Sequence, residues 1–328
     1  MDKIAGWSEK DRAELFQEAA NRKGMNVAVI EKEFWVCWIL GKLFAAKIIK
    51  DKIMFKGGTS LSKVFNLIER FSEDIDLILH QDELDVEDIF ADRLKSKQRK
   101  LLKQASEQTK QYLKDDFLPE VEALCQGVCS ARINTNNPMI IDVGYPASFS
   151  VNYLRPEVTL EIGPRSSWEP NKEYEITPYT AEEFPGVFDV PKCQVKAITA
   201  ERTFWEKITI LHHEAHRVVG ANQPLRISRH YYDVMQIAQS QYKESAFKDL
   251  DLLRDVVCLS DKFFPRKWAK DDLCKPGTMK LVPPEYVQQS LRKDYNDMQI
   301  MIFGKAPTFE EIMASIRILE QEINELQD

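Results

Sequence analysis

The sequence predicts an α+β fold, in which a small mixed, largely antiparallel sheet is flanked by helices and followed by a helical C-terminal domain. Apolar residues spaced three and four apart predict helices at both ends of the chain, at Ser8–Arg22 and Glu310–Glu325. Between them, short runs of alternating apolar and polar residues predict strands. These patterns predict an N-terminal helix in residues 1–25, a sheet-containing core in residues 26–235 and a helical domain in residues 236–328.

Composition narrows the class of protein. The 328 residues suffice for one large or two ordinary domains, and 44% hydrophobic and 30% charged residues are typical of a soluble globular protein. The apolar runs are shorter than the roughly 18–20 residues of a transmembrane helix, and no signal-peptide core is present, so we expect a cytoplasmic protein without a membrane partner. A net charge of −7 argues against non-specific coating of nucleic acid, and six scattered cysteines indicate reduced thiols.

The stretch Phe55–Asp76 predicts a strand, a glycine turn, a short helix and a second strand. The pair Gly57–Gly58 lets the backbone turn sharply and approach a ligand. Thr59 or Ser60 is predicted to cap the following helix, whose apolar positions run to Ile68. A helix N-terminus after a glycine turn favours anions such as phosphates.

The second strand of this stretch carries two carboxylates, Asp74 and Asp76, on one face. Side chains alternate along a strand, so residues i and i+2 lie about 7 Å apart at Cα, and their oxygens can converge on one or two hard cations. Two metals about 3.5–4 Å apart suit an in-line phosphoryl displacement. A glycine pair alone is usually only a turn, and a D-x-D alone is usually solvated surface. The prediction of a phosphate and metal site therefore depends on their order: strand, glycine turn, helix and D-x-D strand.

Further strands are predicted at Pro138–Val143, Ser148–Leu154 and Glu157–Ile162. On the last strand Glu161 points away from the apolar face. A third carboxylate on a neighbouring strand is what a two-metal site uses to deprotonate an attacking hydroxyl. An exposed strand glutamate without a catalytic role fits the pattern equally well.

A long helical insertion is predicted at about residues 85–126. One part of it has eight basic residues with Glu107 as the only acid between them. These basic residues form either a solvated helical face or an electrostatic binding surface for RNA phosphates. The basic residues are Arg93, Lys95, Lys97, Arg99, Lys100, Lys103, Lys110 and Lys114.

The segment Thr199–Val218 predicts a helix with Thr199 as its cap. Lys207 lies beside the apolar stripe of this helix. It is interpreted either as a snorkelling lysine or as an ammonium that contacts the β- and γ-phosphates of a triphosphate. His212 and His216 are one turn apart, but no third zinc ligand is apparent.

Several of these motifs resemble one family. FKGGTSLSK followed by RFSEDIDL resembles motif I of the DNA polymerase β-type nucleotidyltransferases. In its particular residues this motif resembles the AbiEii/AbiGii toxin family, the toxin half of abortive-infection toxin–antitoxin pairs. The helix IEKEFWVCWIL has Glu33 where the family usually has Asp. The LEIG strand at Glu161, ERTFWEKI around Lys207 and SRHYYDV around Asp233 extend the resemblance, which covers about Glu31 to Asn324.

The resemblance implies a polymerase β-like core that transfers a nucleotide from an NTP. Mg²⁺ or Mn²⁺ would bind Asp74, Asp76 and Glu161, with Glu157 as the alternative to Glu161. Lys207 and Asp233 would be catalytic, with Asp233 orienting Lys207 or the nucleotide. The residues implied at the nucleotide and its phosphates are Gly57, Gly58, Thr59, Ser60, Lys63, Arg70, Ser72 and Arg229, of which Arg229 either reaches a phosphate or pairs with Asp233.

The resemblance also implies an acceptor and a partner. RNA, above all the tRNA 3′ end, is the implied acceptor, and a neighbouring AbiEi-like antitoxin is the implied partner in phage defence. Two alternatives stay open: transfer of AMP or UMP to a protein hydroxyl, and a non-catalytic nucleotide- or RNA-binding module. The intact D-x-D weighs against the module.

Overall fold

The computed structural model describes residues 1–151 and 154–327, and the fold is α+β, as predicted. The chain divides into two compact units. The sheet unit consists of Met1–Val64 and Ser72–Ile198, and the helical unit of Phe65–Phe71 and Thr199–Asp328. This division differs from the predicted boundary at residue 235, because the helix with Lys207 belongs to the helical unit.

The described part of the sheet unit has one seven-stranded mixed sheet. Its strands are β1 (Ile53–Lys56), β2 (Asp74–Leu79), β3 (Ser130–Ile133), β4 (Ile140–Gly144), β5 (Glu157–Gly163), β6 (Asn171–Ile176) and β7 (Cys193–Ile198). They lie in the order β3-β4-β5-β2-β1-β7-β6. β1 pairs with β2 antiparallel and with β7 parallel, and β2 pairs with β5 parallel. The other neighbours are antiparallel.

Most predicted strands are present, with one correction. Pro138–Val143 corresponds to β4 and Glu157–Ile162 to β5, whereas the described part of Ser148–Leu154 has only an isolated bridge between Val151 and Leu154. Residues 152 and 153 of that prediction lie outside the described residues. β3 and β7 were not predicted.

Seven helices belong to the described part of the sheet unit: α1 (Asp2–Ala5), α2 (Glu9–Lys23), α3 (Val27–Ala45), α4 (Gly57–Lys63), α5 (Lys95–Tyr112), α6 (Leu118–Cys125) and α7 (Tyr179–Glu183). The side chains of Ser8 and Asn26 cap α2 and α3. Every residue from Ala28 to Leu40 is buried, so α3 is covered on more than one side.

Two predicted helices differ in extent. α4 ends at Lys63 rather than near Ile68, and neither Thr59 nor Ser60 caps it, since its N-cap is Lys56. The insertion predicted at 85–126 becomes α-helical only at Lys95, the first residue of α5. The π-helical turn Leu113–Phe117 then joins α5 to α6.

The helical unit contains α8 (Ala200–Ala215), α9 (Ser228–Ala238), α10 (Gln241–Phe247), α11 (Leu250–Phe263), α12 (Glu285–Met298) and α13 (Phe309–Glu325). The Thr199 side chain caps α8, as predicted. The segment Phe65–Phe71 is held in this unit by backbone hydrogen bonds, from Phe71 N–H to Met301 O (2.7 Å) and from Phe303 N–H to Glu69 O (2.6 Å). None of the helices in the described residues has the length and apolar character needed to cross a membrane.

Candidate active site

Three carboxylates of the sheet unit face the same side of the sheet. Asp76 on β2 is the register partner of Glu161 on β5, and Asp74 is the partner of Thr159. Register partners on neighbouring strands share a face, and residues i and i+2 on one strand do so too. Ile75 and Leu160 are buried on the other face, while Glu161 is exposed. The predicted common face of Asp74, Asp76 and Glu161 is therefore present.

Gly57 begins α4 directly against the carboxylate of Asp76. Its φ of +81° is in the region that favours glycine, and a Cβ built on Gly57 would overlap Asp76 Oδ2. On β1, Lys56 is the register partner of Asp76. Asp76 thus lies between Lys56 and Glu161, with the backbone of Gly57 beside it.

The hydroxyls of Thr59 and Ser60, predicted at the phosphates, are bonded to the backbone. Thr59 Oγ1 donates to Asp74 O and to Ser72 O, the latter at 3.3 Å, and Ser60 Oγ donates to Gly57 O at 2.8 Å. Both residues are buried. In this structure the two hydroxyls hold the start of β2 and the first turn of α4.

Three consecutive charged residues of α3 are buried, and each contacts a different segment. Lys32 Nζ lies 2.5 Å from a carboxylate oxygen of Glu73, the residue before Asp74. Glu33 pairs with Lys63, the last residue of α4. Glu31 accepts hydrogen bonds from the backbone N–H groups of Ser148 and Phe149. α3 therefore fixes both the end of α4 and the start of β2.

Lys63, predicted at the phosphates, has Glu33 as its partner. Its ammonium also lies 3.9 Å from the centre of the Tyr179 ring. Burial acts to lower the pKa of Lys63, but the adjacent Glu33 carboxylate outweighs burial and raises that pKa above its ordinary value. Lys63 is consequently a charged, enclosed residue of an internal ion pair.

In the helical unit, one carboxylate binds two cations. Lys207 Nζ lies 2.8 Å from Asp233 Oδ2, and Arg70 donates to both carboxylate oxygens of Asp233, at 2.7 and 2.8 Å. All three residues are buried. The predicted contact between Asp233 and Lys207 is present. The arginine bound to Asp233 is Arg70. Arg229, which is close to Asp233 in the sequence, is partly buried.

Burial and charge shift the pKa of each group in this cluster. Burial acts to raise the pKa of Asp233, but Arg70 and Lys207 outweigh it and hold that pKa well below its usual range. Burial lowers the pKa of Lys207, against the opposing effect of Asp233. Burial and the nearby Lys207 hold the pKa of His230 well below its ordinary value. His230 is therefore neutral near pH 7, with Nδ1 3.4 Å from Lys207 Nζ.

The other histidines of α8 are bonded to neighbouring backbone and carboxylate groups. His212 Nδ1 accepts from the N–H of Lys280 at 3.2 Å, and its Nε2 lies 3.0 Å from Lys270 O. This arrangement requires a proton on Nε2, and burial lowers the pKa of His212 to about 4. His213 Nε2 lies 2.8 Å from a carboxylate oxygen of Asp271. These contacts join α8 to the segment that follows α11.

Comparison with known families decides the identity of the chain. Residues 38–315 match the sequence profile of a family described as nucleotidyl transferase AbiEii toxin, type IV TA system. The chain belongs to the AbiEii toxin family. It is accordingly a nucleotidyltransferase and the toxin of a type IV toxin–antitoxin system, as the motifs predicted.

A solved structure supports the fold of this AbiEii protein. MenT4, a nucleotidyltransferase toxin from Mycobacterium tuberculosis H37Rv, superposes with a TM-score of 0.53 and 16% sequence identity, covering 98% of this chain and 91% of that one. At this identity the likeness shows the fold alone. Comparison with curated proteins gave no significant match.

Sequence reasoning on this AbiEii protein missed three ion pairs, two in the sheet unit and one in the helical unit. Lys32–Glu73, Glu33–Lys63 and Arg70–Asp233 each join residues far apart in the chain. One signal was available: Glu31, Lys32 and Glu33 are consecutive charges inside a helix that is otherwise apolar on all sides, and buried charges are normally paired.

Proposed function

We propose that this AbiEii toxin transfers a nucleoside monophosphate from an NTP to the 3′ end of tRNA, in a reaction that requires Mg²⁺ or Mn²⁺. The observation that carries the proposal is the common face of Asp74, Asp76 and Glu161 beside the backbone of Gly57. A tRNA with a blocked acceptor end cannot be aminoacylated, which accounts for toxicity.

The donor set fits a hard divalent cation. All three side chains offer carboxylate oxygens, the ligands that Mg²⁺ prefers. Within residues 1–151 and 154–327, no three His, Cys, Asp or Glu side chains form a ready-made metal site. Mg²⁺ in nucleotide enzymes is usually held by one or two carboxylates and completed by substrate phosphates and water. We therefore assign Asp74 and Asp76 as the protein ligands, with Glu161 next to them; the bound ion would stabilise charge on the attacking and leaving oxygens.

Glu161 is proposed as the group that accepts the proton of the attacking hydroxyl. The hydroxyl oxygen forms a bond to the α-phosphorus, the bond from that phosphorus to the bridging oxygen breaks, and pyrophosphate leaves. Glu157, the alternative, lies 2.6 Å from Arg132 in an ion pair. Glu161 is favoured because it is the register partner of Asp76, whereas Glu157 is the register partner of Gly144 on β4.

Lys207 is proposed to contact the triphosphate. Its buried cluster contains two cations, Lys207 and Arg70, and one carboxylate, Asp233, while the adjacent His230 is neutral. Burial lowers the pKa of the Lys207 ammonium, and the nearby guanidinium groups of Arg70 and Arg229 act in the same direction, so an added anion such as a triphosphate would stabilise its charged form. Asp233 then serves to orient Lys207. Further phosphate contacts are proposed for Gly57, Gly58, Ser72 and Arg229.

The test is transfer of labelled nucleotide. The protein is incubated with each α-labelled NTP and Mg²⁺, together with either total tRNA or a protein extract. We expect label in tRNA, and its loss when the metal is chelated. Label only in protein would replace tRNA by a protein acceptor, and tight NTP binding without transfer to any acceptor would contradict the proposed reaction.

A further inference from the structure

The sheet unit contains a cavity of about 500 Å³ at the edge of the sheet. Its walls come from the edge strand β3, from the C-terminal half of α5 and from the start of α6. This volume is within the range of sites for small molecules and single nucleotides.

The walls combine an apolar surface with cations. Leu118, Ile133 and Pro138 form apolar wall, and Lys110, Lys114 and Arg132 bring positive charge. Two acids, Glu107 and Glu122, also line the cavity, and Glu107 is paired with Lys110 at 2.8 Å. A nucleotide has the matching chemistry, since its base is a flat apolar surface and its phosphate is an anion.

The cavity lies at one end of a strongly basic helix surface. Lys95, Arg99 and Lys103 recur at a spacing of four on α5 and are exposed. From Lys95 to Lys110 the helix extends roughly 22 Å at about 1.5 Å per residue. Because the chain as a whole has a net charge of −7, this surface is a local attraction for a polyanion.

Strand register connects one residue of the cavity wall, Arg132, with the carboxylates proposed as catalytic, whereas the neighbouring wall residues Ala131 and Ile133 lie on the opposite face of the strand. Arg132 on β3 is the partner of Asp142 on β4, which is the partner of Thr159 on β5, which is the partner of Asp74 on β2. These residues share one face of the sheet. Three strand spacings of about 4.8 Å place the Cα atoms of Arg132 and Asp74 roughly 14 Å apart. Arg132 is 2.6 Å from Glu157 and 3.6 Å from Asp142, so these two acids have a cationic partner.

We propose that this cavity holds an unstacked nucleotide of the acceptor RNA, a few positions before its 3′ end, while the exposed basic surface of α5 binds the RNA backbone. The inference rests on the proposed function, because it needs an RNA whose 3′ hydroxyl reaches Asp74 and Asp76. It adds a second place at which the acceptor is recognised, away from the reacting atoms.

The first test changes charge at exposed positions. Lys103→Glu/Lys114→Glu is compared with Lys10→Glu/Lys172→Glu, a control with the same charge change at exposed lysines of α2 and β6. We expect the first pair to raise the KM for tRNA about tenfold or more and to reduce the salt dependence of binding by about one unit of slope per lysine. The KM for NTP stays within about twofold in both pairs. Equal effects of the two pairs on tRNA would overturn the inference.

The second test addresses the base. Transfer and binding are measured with RNAs that carry an abasic nucleotide at successive positions near the 3′ end. One position is expected to weaken binding severalfold, and Leu118→Ala is expected to reduce that position's effect. Uniform tolerance of abasic sites would overturn the nucleotide site. If wild-type protein labels tRNA but these variants behave as the controls do, the cavity assignment alone fails; if no RNA is labelled, the proposed function fails first.

Discussion

The α-carbon of Gly57 lies so close to the carboxylate of Asp76 that no side chain fits between them. Gly57→Ala would force Asp76 to move and would also place alanine at a φ of +81°. We expect transfer to fall by about 100-fold or more and stability to fall by about 1–2 kcal/mol. Labelled-nucleotide transfer and urea unfolding measure the two effects.

Gly127 offers a matched control for this substitution. Its φ is +78°, but nothing lies within 4 Å of a Cβ built there. Gly127→Ala should therefore have the same backbone strain and keep its activity. If both alanine variants lose transfer equally, contact with Asp76 is not the reason that position 57 needs glycine.

Asp76→Asn is expected to abolish transfer while the protein remains folded. The substitution removes a charged side chain, proposed as a metal ligand, from a partly exposed strand face without opening the apolar core. Asp74→Asn should behave in the same way, whereas Asp82→Asn, at an exposed residue just after β2, should be neutral. Wild-type transfer by both Asp74→Asn and Asp76→Asn would refute the site. Thermal unfolding verifies that the variants fold.

Lys207→Met and Asp233→Asn should separate activity from stability. Lys207→Met leaves the pair between Arg70 and Asp233, so we expect loss of transfer with a small change in unfolding free energy. Asp233→Asn leaves two buried cations without their carboxylate and should cost about 3–5 kcal/mol. Arg70→Met in the Asp233→Asn background should restore part of that loss. A stable Asp233→Asn protein would contradict this account of the cluster.

Stability should fall on mild acidification because of His212. Its folded-state pKa of about 4 lies below the ordinary value of 6.5, so the unfolded chain binds the proton more tightly. The stability due to neutral His212 is complete above about pH 6.5 and is lost as pH falls toward 4. One such histidine contributes a decrease of about 2 kcal/mol between pH 7 and pH 5. Urea unfolding at both pH values measures it, and His212→Gln should reduce the difference. An unchanged difference in that variant would exclude His212 as the cause.

Lys32 is expected to position the D-x-D strand through Glu73. Lys32→Met would leave the largely buried Glu73 without this ammonium and free the start of β2 from α3. We expect a lower unfolding free energy and a severalfold higher Mg²⁺ concentration for half-maximal transfer. Lys42→Met, on the same helix but more exposed, is the control. A purely structural role would lower stability and leave the Mg²⁺ dependence of the folded enzyme unchanged.

Sequence patterns over a few residues predicted the features that depend on neighbouring residues, such as strand faces and helix starts. Period-two alternation placed Asp74, Asp76 and Glu161 on polar strand faces, and the cap at Thr199 marks a helix start. The apolar spacing of three and four extended α4 too far, because this spacing cannot tell which core an apolar residue joins. The helix ends at Lys63, and Asn66 adopts a left-handed φ of 51°.

Such local patterns could not predict ion pairs between residues that are distant in the sequence. Lys63 and Arg70 are predicted at the phosphates, but their carboxylate partners, Glu33 and Asp233, are separated from them by long stretches of chain. The buried charges of α3 indicate that partners exist, but a single sequence does not show which residues they are. β7 was not predicted either, because its pairing partners β1 and β6 are distant or separate stretches of the sequence.

The parallel pairing of β2 with β5 also bears on how a cell makes a protein that harms it. Synthesis proceeds from the N-terminus, and Asp76 cannot meet Glu161 until the ribosome has released the chain well past β5. Arg70 gains its carboxylate partner later still, because Asp233 lies 163 residues further along the chain. A nascent chain that ends before β5 therefore lacks both clusters. The two clusters proposed for catalysis can be present together only after Asp233 has been synthesised.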